Sequence, residues 1–216
     1  MKGAKPLEFM TKEVFELVKG MDMRAVETQI ALRCAPVLAG LKPSNLLVVG
    51  KGQVRTACML FTATRFTCFL LDQDRYKAVL LLYEACALES FLKQAQVREL
   101  LMQKGYPCAA ESTLQAKKLL RVFAGRYRAY LRGDGGFPHE MGLFLGYPVE
   151  DVRGFMENEG KNFIYAGYWK VYENAEEKRR LFQKFDCARE ALIRLVVDAK
   201  TCLNCYDPFQ FYPKKY

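Results

Sequence analysis

His139 is the only histidine in a chain of 216 residues. It stands inside the stretch GGFPHEMGLFLGYPVEDVRGF (135–155), where glycines and prolines bracket an apolar run. Pro138 favours a boundary just before a helix beginning near His139 or Glu140, and the positive end of such a helix disfavours an imidazolium. A neutral imidazole serves as a general base, a hydrogen-bond donor or a metal ligand. Glu140 is its neighbour in sequence, although consecutive helical residues do not face each other. Cys34, in RCAPVLAG, is the other candidate nucleophile. It reads as lying near a helix C-terminus, which disfavours thiolate, with Arg33 partly offsetting this. A Cys34–His139 pair needs a fold that joins segments a hundred residues apart. His139, Cys34 and Glu140 are the residues on which a hydrolase or transferase reading rests.

A second chemistry is binding. Gly135, Gly136 and Pro138 deliver the chain to a helix start whose unpaired N–H groups suit an anion, and Arg132 precedes them. The aromatic stretch NFIYAGYWKVYE (162–173) adds Tyr168, Trp169 and Lys170, which suit a flat ligand; strand aromatics also serve as core. The best reading is a module for a small anionic or flat aromatic ligand, with catalysis as the alternative. No complete triad, P-loop, dinucleotide fingerprint or metal-ligand spacing is present, so no cofactor is assigned and no residue is taken as a metal ligand. The pair Cys202 and Cys205 in CLNC follows the last helix, the wrong pole for a redox thiolate, and supplies only two of the four ligands a structural zinc needs.

The elements that must position these residues read as follows. Helices are expected at about 8–19, 23–34 (capped by Asp22 and ended by Pro36), 86–94, 96–104 and 175–199, with a less certain one at 53–63. KPSNLLVV offers a short strand, FTCFLLD and YKAVLLLYE a pair around a QDR turn, and 162–173 a strand interrupted or bent at Gly167. Residues 135–160 read as a helix, a tight turn at Gly146 and a second helix. The sum is an α+β fold, mostly helical around a small, mainly antiparallel sheet. Residues 1–200 are expected to form a single globular domain and 201–216 a C-terminal tail.

Composition narrows the partners. The eight cysteines are too sparse for a disulfide scaffold, and several sit in apolar runs. No signal-peptide pattern is visible, and AVLLLY is far short of the ~20 apolar residues a membrane span requires. These features point to a cytoplasmic protein. The net charge is +9. It concentrates at 111–132, where Lys117, Lys118, Arg121, Arg126, Arg128 and Arg132 face Glu111 as the sole acid. The helix–turn–helix spacing of 140–159 invites a DNA-binding reading, but the second helix carries Glu150, Asp151, Glu157 and Glu159 against Arg153. Phosphate contacts need cations, so nucleic acid is an unfavoured partner and any contact falls to the basic 111–132 helix.

The segments ETQIALRCAPVLAGLKPSNL (27–46), FPHEMGLFLGYPVEDVRGF (137–155) and GKNFIYAGYWKVY (160–172) resemble the bacterial family catalogued as domain of unknown function 3793. The likeness extends through KAVLLLYE and LLMQKGYP. It implies a cytoplasmic protein of an anaerobic Firmicute and brings no activity, substrate or catalytic residue. The GDGG loop (133–136) and the tail TCLNCYDPFQFYPKKY depart from the family pattern.

Overall fold

The computed structural model describes residues 10–108 and 116–201; the CLNC pair and the start of the basic segment lie outside them. Strand β1 (Ser44–Gly50), β2 (Phe66–Gln73) and β3 (Lys77–Glu84) form an antiparallel sheet in the order β1-β3-β2. Leu81 of β3 sits opposite Leu46 of β1 and Phe69 of β2, and a bulge interrupts the β2 register between Leu70 and Asp72.

Both faces of this sheet are covered, which explains the composition of β3. Ala78, Leu80 and Leu82 point into one apolar core, and Val79, Leu81 and Tyr83 into the other. A strand buried on both faces reads as a continuous apolar run rather than an alternating one. AVLLLY is therefore the central strand. Among the described residues no helix is long and apolar enough to cross a membrane.

Helices α1 (Lys12–Lys19), α2 (Val26–Leu38) and α3 (Val54–Met59, after a 3-10 turn at Lys51–Gln53) cover the first face, with the distal half of the long α9 (Ala175–Thr201). The second face receives α4 (Ala85–Lys93), α5 (Ala95–Gln103), α6 (Ala116–Arg132), α7 (Met141–Phe144) and α8 (Val149–Glu157). The fold is α+β, mostly helical, with an antiparallel sheet.

Three expectations are corrected. Pro36 lies inside α2 instead of ending it. The helix stops one turn later, where Leu41 N–H donates to Pro36 O (2.8 Å) and Gly40 N–H to Val37 O (2.9 Å), with Gly40 at φ +70°. This is a Schellman closure, and its left-handed position suits glycine. Asp22 does not cap α2, which starts at Val26; its carboxylate accepts from Arg24 N–H (2.8 Å) in the preceding turn. The stretch 162–173 is not one bent strand but a hairpin, β4 (Tyr165–Ala166) paired with β5 (Lys170–Val171). Gly167 N–H donates to Trp169 O (3.0 Å) and reverses the chain.

The basic helix α6 buries Leu119, Leu120, Phe123 and Ala124. Two of its cations hold neighbouring segments: Arg126 reaches Lys104 O (2.6 Å) and Arg128 reaches Leu71 O (2.7 Å). Lys117, Lys118 and Arg121 face solvent.

Candidate functional site

The helix, turn and helix expected at 135–160 are present as α7, a turn through Gly146, and α8. Gly146 adopts φ +70°, and a Cβ there would stand 2.3 Å from Pro43 Cδ. The turn is thus pressed against the residue before β1. Ser44 Oγ–H donates to Phe144 O beside it, so α7 is pinned to the start of the edge strand. Leu145 (5% exposed) and Val152 (4%) are core, while Met141 and Phe155 are half-buried.

This packing leaves a cavity of about 300 Å³ between α7–α8, the β4–β5 hairpin and the α2–β1 corner. Phe137, His139, Phe155, Tyr168 and Trp169 supply rings to its wall, Tyr147 another, and Arg33, Asn45, Asp151 and Lys170 polar groups. The hairpin residues are held firmly. Trp169 stacks on Tyr147 with centroids 4.7 Å apart and packs edge-on to Phe182 at 4.6 Å. Its indole Nε1–H donates to Asp151 Oδ2 (2.7 Å), whose other oxygen accepts from Tyr172 N–H (2.8 Å). Asp151 is 2% exposed. Asp151 lies in the first turn of α8, where an acid suits the helix dipole, and it also bridges α8 to the hairpin. Tyr168 O–H donates to Asp186 Oδ1 (2.8 Å), which also takes Arg189 (2.6 Å). Burial pushes the Tyr168 phenol up, so it remains protonated at neutral pH.

His139 precedes a helix of only four residues, so it does not enjoy the field of a long dipole. Its ring lies between Phe137 (5.2 Å) and Phe155 (5.3 Å). Although much of its surface is open, this apolar surrounding desolvates the ring and holds its pKa below the ordinary value, which the Glu140 carboxylate partly opposes. The imidazole is neutral at neutral pH.

The cavity thus brings together His139, Tyr168, Trp169 and Lys170, and leaves the other candidates apart. Cys34 is fully buried in the core on the first sheet face, and burial pushes its thiol up to about 12. Glu140 is 4% exposed and turned into the second core, accepting from Tyr106 O–H and Arg126, each at 3.0 Å. Arg132, Gly135 and Gly136 are exposed and outside the cavity wall. Sequence reasoning missed Arg33, an exposed residue of α2, and Asn45, which enters because β1 is an edge strand. A polar Asn in an otherwise apolar strand was the available signal. Arg33 Nε donates to Gln29 Oε1 (3.0 Å), and its terminal nitrogens have no partner among the described residues. Lys170 Nζ donates to Gly160 O (2.5 Å) and lies 4.7 Å over the Phe163 ring.

Among the described residues no group of three or more His, Cys, Asp or Glu side chains is placed to hold a metal ion. No curated protein and no solved structure matches the chain. The model of a protein family of unknown function, DUF3793, matches residues 30–205, and the chain belongs to that family.

Proposed function

We propose that this cavity binds a small ligand with a flat, aromatic body and an anionic group. The observation that carries the reading is the pairing of a ring-lined cavity of about 300 Å³ with an arginine whose terminal nitrogens are unclaimed among the described residues. Ligand pockets of this size class are mostly apolar with a few placed polar groups. The balance of charge favours an anion. Among the described residues Arg33 and Lys170 are the cations of the wall, and its one acid, Asp151, is occupied by the indole and backbone N–H groups. His139 contributes a neutral ring edge rather than a third charge. Relative to the sequence reading, the polar end of the ligand moves from Arg132 and the glycine loop to Arg33. A catalytic role for His139 has less support, because neither Cys34 nor Glu140 lines the same space.

Trp169 is the only tryptophan in the chain and forms part of the wall, so its emission reports on occupancy. Titration with 8-anilinonaphthalene-1-sulfonate, an aromatic anion, is expected to quench Trp169 saturably. Arg33→Ala should weaken the probe about tenfold, as loss of one charged contact worth ~1.5 kcal/mol implies, with the melting temperature unchanged. Equal quenching by the probe in Arg33→Ala and wild type would refute the assignment of the anionic end.

A further inference from the structure

β1 has β3 on one side and, among the described residues, no strand on the other. Lys51 N–H donates to Tyr76 O (2.9 Å) and Glu84 N–H to Pro43 O (3.0 Å), at the two ends of the β1–β3 register. In an antiparallel pair every second residue turns its N–H and C=O to the partner strand, and the residues between turn theirs away. Asn45, Leu47 and Val49 therefore bond to β3, while Ser44, Leu46, Val48 and Gly50 present their backbone to the open side. Gly50 N–H is taken by Gln53 Oε1 (3.0 Å), but Leu46 N–H and both backbone groups of Val48 have no partner among the described residues. An edge of this kind is a template for another strand, and proteins blunt it with charges, proline or a bulge. The strand SNLLVVG holds no charge and no proline, and its register with β3 is continuous over seven pairs.

Two spaces flank this edge. Val48, Val49 and Gly50 form one side of a groove of about 450 Å³, with Arg24, Gln29 and Arg33 opposite. Asn45 and Leu46 border the ring-lined cavity, and Arg33 belongs to the walls of both. A chain laid along Leu46 and Val48 thus runs from the groove to the cavity past Arg33. The Asn45 amide is already engaged. Its Nδ2–H donates to Arg33 O, and its Oδ1 accepts from Lys42 Nζ (3.2 Å), a buried side chain with no carboxylate partner among the described residues.

Charge selects the kind of chain. Arg24, Arg33 and Lys77 line the groove, and among the described residues no acid does. The acids closest in sequence are occupied: Asp22 accepts from Arg24 N–H (2.8 Å), and Asp74 from the N–H groups of Tyr76 (2.7 Å) and Lys77 (2.8 Å). A second copy would set these cations against its own, and like charges on paired strands are destabilising. Segments 1–9 and 202–216 each carry two lysines against one acid, so the same repulsion applies to them. We infer that β1 accepts an acidic peptide as a fourth strand, and that the aromatic, anionic ligand of the cavity is the C-terminal residue of that peptide. The inference rests on the cavity reading above and names the class of molecule to which that ligand belongs. A C-terminal aromatic residue carries a flat body and a carboxylate on one unit, as the rings and Arg33 require. Backbone bonds to Leu46 and Val48 hold the chain, and its acidic side chains meet Arg24 and Lys77.

The test titrates the full chain with the acetylated pentapeptide Glu-Val-Glu-Val-Phe bearing a free carboxylate. The peptide has no tryptophan, so Trp169 emission reports on the cavity. Amide hydrogen exchange read by NMR is expected to slow at least about tenfold at Leu46 and Val48 and to stay unchanged at Leu47 and Val49, which already bond to β3. Trp169 should be quenched, and 8-anilinonaphthalene-1-sulfonate should compete. The same peptide N-methylated throughout keeps its charges but loses its backbone donors, and should bind at least about tenfold more weakly. Val48→Pro removes the outward N–H and spares the bonds to β3, since edge strands tolerate proline, and should weaken the parent peptide. The comparison of the two peptides is made on the wild type, so it stands whether or not Val48→Pro folds. Equal binding of the two peptides, or unchanged exchange at Leu46 and Val48, overturns the added strand; continued quenching of Trp169 by the sulfonate probe then leaves the cavity reading intact. No response of Trp169 to either compound overturns both. A dimer that forms with rising protein concentration and itself protects these amides gives the edge to a second copy and overturns the peptide.

Discussion

Replacing Asp151 by Ala tests how the cavity wall is held. The carboxylate accepts the Trp169 indole N–H at 2.7 Å and Tyr172 N–H at 2.8 Å, with Glu173 N–H more distant at 3.4 Å. Truncation leaves two well-made donors without an acceptor in a site where Asp151 is 2% exposed. Each such loss costs about 1–3 kcal/mol, so Asp151→Ala should destabilise by about 4 kcal/mol. That is a large fraction of the roughly 5–15 kcal/mol that holds a domain of this kind together. Asp151→Asn should cost less, since its amide oxygen can still serve one donor while its NH₂ group faces the other. Urea denaturation followed by far-UV circular dichroism gives the stability, and Trp169 emission read on the same samples should shift to the red as the indole loosens. A change below about 1 kcal/mol in Asp151→Ala, with the emission maximum unmoved, would show that water replaces the carboxylate and that the bridge from α8 to the hairpin is not structural.

Leu145→Ala should cost about 2–5 kcal/mol in denaturant melts, while His139→Ala, with its ring largely at the surface, should change stability by less than about 1 kcal/mol and weaken the sulfonate probe. Gly146→Ala combines a left-handed backbone with a Cβ set 2.3 Å from Pro43 Cδ, so thermal melts should show a loss of at least about 2 kcal/mol. Lys42 predicts a stability that rises with pH. Its folded value is about 7 against about 10.4 when unfolded, so between these the unfolded chain binds more protons, and stability should climb by up to about 1.4 kcal/mol per pH unit. Melts between pH 7 and 7.8, where ordinary thiols with a pKa near 8.5 stay mostly protonated, should show a positive slope, and Lys42→Met should flatten it; an equal slope in both would refute it.

The element types were legible because they depend on local periodicity. α9 announces itself through apolar residues at helical spacing, and the β2–β3 pair through its turn and its β-prone runs. The helix, turn and helix around Gly146 were legible for the same reason, since glycine and proline restrict the backbone wherever they stand. Pro36 and Gly167 were misread because packing overrode a local signal: α2 is buried along most of its length and carries its proline to a later closure, and the aromatic hairpin is held by Phe182 and Phe185 of α9. Four of the candidate site residues could be picked out in the sequence by type, since one histidine and one tryptophan stand out in any chain. Their grouping with Arg33, Asn45 and Asp151 could not, because it depends on β1 lying at the sheet edge and on the turn at Gly146 seating on Pro43. The same tertiary arrangement sends Cys34 and Glu140 into separate cores and leaves Lys42 buried without an acid, which no count of charges along the chain reveals. By itself the sequence determined which segments are helix or strand and which side chains have reactive types. Only the tertiary structure decided which of them share a space and a dielectric, because proximity and desolvation are set by contacts between residues far apart in the chain.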